Sequence, residues 1–125
     1  MRKHRVLLLV HEGLVPTEGI PTTEVDPAWR MEWDVVTTLR ERGHELKVIG
    51  VHDDLTPIRS SIEEFKPDIV FNLLEAFDNI CVFDQNVVSY LELLKIPYTG
   101  CNPRGLTLAR DKALARKLLA YHRIP

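Results

Sequence analysis

Asp68-Ile69-Val70-Phe71-Asn72-Leu73-Leu74-Glu75 is a mostly apolar, partly β-branched run of strand length that ends in a carboxylate. Strands buried on both faces of a parallel sheet read as near-continuous apolar runs. Open α/β sheets place their binding chemistry just beyond the carboxyl ends of such strands. The run therefore predicts a buried strand over Ile69 to Leu74, with Asn72 and Glu75 at the rim of a cleft. Upstream, Arg5 to Val10 is a continuous aliphatic run after a basic start and predicts a central strand. Leu46 to Val51 predicts another, and Pro97-Tyr98 a very short fourth.

Between these runs the periodicity turns helical. Asp26-Pro27 is a helix start, an acidic N-cap followed by proline in the first turn. The helix should run to about Arg42, with Trp29, Trp33, Val36 and Leu39 on one face and Gly43 as its stop. Further helices are predicted over Pro57 to Phe65, Phe83 to Leu94, Arg104 to Ala109 and Lys112 to Tyr121, the last capped by Asp111. Strands alternating with helices give an α/β fold: a doubly wound, Rossmann-like parallel sheet of about four strands flanked by helices. From His11 to Asp26 no periodicity survives, and a long loop of this kind tends to be functional or mobile.

A chain of 125 residues suits one domain with a real core. Its net charge of −2 argues against nucleic acid, whose phosphates call for a basic stripe. Cys81 and Cys101 form no CxxC pair and read as free thiols of a reducing cytoplasm. Val6 to Val10, behind Met1-Arg2-Lys3-His4-Arg5, is too short for a signal core or a membrane span. The expectation is a cytoplasmic protein with neither membrane nor nucleic-acid partner.

His11 and Glu12 directly follow the first strand, so they share the rim with Asn72 and Glu75. One imidazole with unspaced carboxylates is a weak metal signal, and no metal ligand is assigned. The plainer reading is that Asn72 satisfies turn backbone, His11 bonds to backbone and Glu75 is solvated. The chain has no GxGxxG, no GxxxxGK[ST] and no GxSxG. Lys112 is harder to explain. A cation at a helix N-terminus opposes the macrodipole at a cost of up to about 1 kcal/mol. An ammonium beside free backbone N–H groups suits a phosphate; otherwise it is a surface lysine.

Three segments together carry a resemblance. They are Phe71-Asn72-Leu73-Leu74-Glu75, then Leu91-Glu92-Leu93-Leu94-Lys95-Ile96-Pro97-Tyr98-Thr99-Gly100, then Arg110-Asp111-Lys112 with Lys117-Leu118-Leu119 and Ile124-Pro125. In combination they resemble the N-terminal, pre-ATP-grasp domain of D-alanine–D-alanine ligases and their ATP-grasp relatives. The resemblance implies an ATP-dependent carboxylate–amine ligase, in which ATP with Mg²⁺ activates a carboxylate as an acyl phosphate that an amine attacks. It implies residues 1–110 as the substrate-side domain, and 111–125 as the start of a linker helix into an ATP-grasp central domain that is missing here. Lys112 then corresponds to a lysine reaching the ATP phosphates. Counting back ungapped from Leu39-Arg40, Thr22-Thr23-Glu24 falls on the family's Ser-x-Glu, which makes Glu24 the candidate for the substrate amine.

Departures bear on the substrate. The family's Leu-His-Gly is Leu74-Glu75-Ala76 here, and its Gly-Glu-Asp is reduced to Phe83-Asp84. A carboxylate in place of an imidazole should favour a more cationic or differently shaped amino acid or peptide. These 125 residues alone should be inactive and bind no cofactor. The competing reading is a non-catalytic α/β interaction or dimerisation module, and a homodimer is compatible with either. A receiver domain is disfavoured, because Glu12 is a lone acid and no Asp ends the third strand.

Overall fold

The aliphatic run after the basic amino terminus becomes β1 (Arg5–His11), whose interior residues Val6 to Val10 are all buried. It lies at the centre of a computed structural model that describes residues 2–125. β2 (Glu45–Val51) and β3 (Ile69–Asn72) flank it, both parallel, in the order β2-β1-β3. Val6 registers with Leu46 on one side and with Ile69 on the other. The connecting helices are α1 (Arg30–Glu41), α2 (Thr56–Phe65) and α3 (Asp84–Leu93), followed by α4 (Pro103–Arg110) and α5 (Lys112–Tyr121).

Side chains alternate along β1, so the strand feeds two cores. Val6, Leu8 and Val10 pack with Val36 of α1, while Leu7 and Leu9 pack with Ile58 of α2 and with Val87 and Leu91 of α3. Helices thus cover both faces, as the doubly wound expectation requires. Each fully buried aliphatic side chain contributes about 1.5–3 kcal/mol. Among the described residues no helix is long and apolar enough to cross a membrane.

Four expectations are corrected. The sheet has three strands, not about four: Tyr98 makes a single parallel bridge to Val70. Val70 N–H donates to Pro97 O at 2.9 Å and Thr99 N–H to Val70 O at 3.0 Å. Pro97 has no N–H to extend this ladder, and Gly100, with φ 97°, turns the chain away. β3 stops at Asn72 rather than Leu74, because Asn72 Oδ1 accepts Leu74 N–H at 3.1 Å and bends the backbone. The stretch from His11 to Asp26 is not structureless; it holds short 3₁₀ turns at Glu12–Leu14 and Thr22–Glu24. Pro27–Trp29 is a third such turn, capped by Asp26 Oδ1 on Ala28 N–H at 2.8 Å, so α1 starts only at Arg30.

Candidate functional site

Beyond the carboxyl ends of β1 and β3 lies a cavity of about 280 Å³. His11, the last residue of β1, lines one side, and Glu75, three residues past β3, lines another. His11 Nδ1 accepts Gly13 N–H at 3.1 Å. That bond orients the ring and leaves Nε2 as the atom available to a ligand. Glu32, in the first turn of α1, also lines the cavity and is only 4% exposed. An acid in a helix's first turn is favoured by the macrodipole. No ion pair within the described residues neutralises it. The walls are apolar: Leu14, Met31, Leu73 and Ala76, with the exposed thiol of Cys81 at the edge.

A second cavity, of about 460 Å³, holds Asp84, Thr107, Arg110, Asp111 and Lys112. Asp84 is 4% exposed, and Arg110 neutralises it through Nε at 3.2 Å and Nη2 at 2.5 Å from Oδ2. The hydrogen bond to Asp84 raises the Arg110 pKa above its ordinary value. Arg110 Nη2 also donates to the backbone carbonyl of Glu75 at 3.4 Å. One guanidinium therefore ties the two cavities together. Asp111 Oδ1 caps α5 by accepting Leu114 N–H at 2.9 Å, and Lys112, exposed, opens that helix into the second cavity.

The remaining sequence candidates are placed differently. Asn72 is engaged with the backbone: its N–H donates to Thr99 Oγ1 at 3.1 Å and its Oδ1 makes the turn to Leu74. Glu12 is exposed in the turn after β1, and Glu24 is exposed in the Thr22–Glu24 turn. None of these three lines either cavity. Glu32 is the residue the sequence reading passed over. The signal was present, since Glu32, Val36 and Leu39 are spaced i, i+4, i+7 on the inward face of α1.

The arrangement is that of an α/β protein with a cavity, lined by His11, Glu32 and Glu75, beyond the carboxyl edge of a parallel sheet. The D-alanine–D-alanine ligase of Gluconobacter oxydans is 34% identical over 90 residues, covering 72% of this chain and 29% of that enzyme. That of Granulibacter bethesdensis is 39% identical over 83 residues, covering 66% of this chain and 25% of the enzyme. An uncharacterised protein of Sinorhizobium fredii, y4sG, is 29% identical over 124 residues, covering 90% and 36%. No protein-family model matches, and no solved structure does. Over most of its length the chain is similar to part of these D-alanine–D-alanine ligases. It spans 25–36% of the length of these relatives.

Proposed function

We propose that this chain is the substrate-side, N-terminal part of an ATP-dependent carboxylate–amine ligase. Its smaller cavity takes an amino acid or a peptide, and Lys112 faces the nucleotide phosphates. The observation that carries this reading is the shared edge: His11, Glu32 and Glu75 line one cavity, Lys112 the next, and Arg110 joins them. A buried carboxylate without a counter-charge is costly unless a cation or hydrogen-bond donors meet it. Glu32 is thus placed to accept a substrate ammonium, the role the ungapped alignment assigned to Glu24. Glu75 adds negative charge at the mouth, in keeping with a cationic substrate. Asn72 acts indirectly, by holding the turn that leads to Glu75.

The residues fit part of an ATP site. Lys112 is exposed and has no ion pair among the described residues, which leaves it able to meet a phosphate. Asp84 and Asp111, which share its cavity, are committed to Arg110 and to the α5 N-terminus. Mg²⁺ ligands and the rest of the nucleotide cradle are therefore assigned to protein outside these residues. ATP, when bound, supplies the phosphoryl group; this chain positions substrate and screens charge. Phosphoryl transfer depends mainly on such positioning and electrostatics, and a partial site gives no turnover.

The test is isotope-edited NMR on this chain. Adding D-alanine or a dipeptide should shift the amides around His11, Glu32 and Glu75, and adding ATP those around Lys112. Glu32→Gln should weaken amino-acid binding by about tenfold or more, as loss of a charged hydrogen bond does. Phosphate release from ATP should stay at background. Shifts mapping to the opposite end of the sheet, or turnover by the chain alone, would overturn the reading.

The exposed leucines of α5, Leu114, Leu118 and Leu119, favour a second reading, an interaction or dimerisation module. Sedimentation at rising concentration separates the two: self-association with no amino-acid binding leaves only the module.

A further inference from the structure

We propose that His52, Asp53 and Asp78 form a Zn²⁺ site that clamps the β2–α2 connection to the loop after β3. One imidazole nitrogen of His52 and one carboxylate oxygen from each aspartate lie within 4.8 Å of one another. A tetrahedral Zn²⁺ holds such atoms about 2.0–2.2 Å from the ion, which sets them roughly 3.4 Å apart. Both aspartates are exposed, so side-chain rotation closes the difference.

A separate observation points to a ligand here. His52 Nδ1 is buried and has no hydrogen-bond partner. Buried polar atoms are normally bonded, so the ring that offers a nitrogen to the two carboxylates also carries an unmet polar atom. The loops are already held in register, since Asp78 N–H donates to His52 O at 2.7 Å. One imidazole with two carboxylates suits Zn²⁺ or Mn²⁺ better than Mg²⁺, whose preference is for oxygen alone. The site adjoins the smaller cavity, because the His52 ring meets that of His11 edge-on at 5.6 Å between centroids. It stands independently of the ligase reading.

The experiment titrates the metal-stripped chain with Zn²⁺, and with Co²⁺ as a visible-absorbing substitute. One equivalent should bind with Kd at or below about 10 μM. His52→Gln, Asp53→Asn and Asp78→Asn should each weaken binding about tenfold or more. The two aspartate changes are exposed and isosteric, so far-UV circular dichroism should show an unchanged fold. Equimolar Mg²⁺ should not compete. No saturation by about 1 mM Zn²⁺ would overturn the site. So would binding that survives both aspartate changes, which would assign the ion to another imidazole such as His4 or His44.

Discussion

Tyr98 is a residue whose proton the fold controls. Burial first, and then the hydrogen bond from its hydroxyl to Glu92 Oε1 at 2.7 Å, push its pKa up to about 12. The folded state favours the neutral phenol, so this stabilisation is complete below the ordinary value of about 10 and is lost as pH rises from there to about 12. Tyrosinate absorbance should show one group ionising near 12, and Tyr98→Phe should remove that phase. Glu32 and Asp84 are both 4% exposed, yet they should respond oppositely to neutralising changes. Arg110→Met strands the buried Asp84 without its cation and should lower the urea midpoint. Glu32→Gln removes an unpaired charge and should leave stability unchanged or raise it by up to about 1 kcal/mol while weakening amine binding. Urea unfolding reads both, and a Glu32→Gln variant that unfolds early would make the residue structural.

At the level of elements, β1 holds the two cores together. Leu8 is fully buried between β1 and α1, so Leu8→Ala should cost about 3 kcal/mol through lost contacts and an unfilled cavity. Denaturant midpoints test this. Gly50 on β2 has a subtler part, since a Cβ there would lie 2.8 Å from Glu12 Cα. Backbone, not a flexible side-chain tip, stands in the way. Gly50→Ala should therefore cost about 1–3 kcal/mol and displace the Glu12–Leu14 turn. Amide shifts at His11 to Leu14 would record the displacement; unchanged shifts would mean that β2 gives way instead. The absence of a side chain at Gly50 thus leaves room for the backbone turn that follows β1.

Across the whole molecule, stability is unevenly spread. The core ends with α3, and neither α4 nor α5 contains a buried residue. Hydrogen exchange should therefore show α5 amides protected about a hundredfold less than those of β1, because they open locally rather than with the whole fold. Equal protection would mean that α5 is held by a contact the monomer does not supply, such as a second copy on its leucines. Lys112 sits on this weakly held helix, and elements that close on ligands are commonly drawn from the less stable end.

Much of the fold was legible in consecutive residues. The runs at Arg5 to Val10 and Ile69 to Phe71 announce strands covered on both faces, and Asp26 caps a 3₁₀ turn and Asp111 a helix through bonds 2 and 3 residues along. Burial pattern and capping are short-range properties, so a linear reading captures them. Other features depend on which distant residues meet: Arg110 reaching the Glu75 carbonyl across 35 residues, Asn72 engaged by Thr99, and the sheet closing at three strands. Those follow from helix rotation, strand register and one missing N–H at Pro97, which local periodicity does not encode and only packing decides.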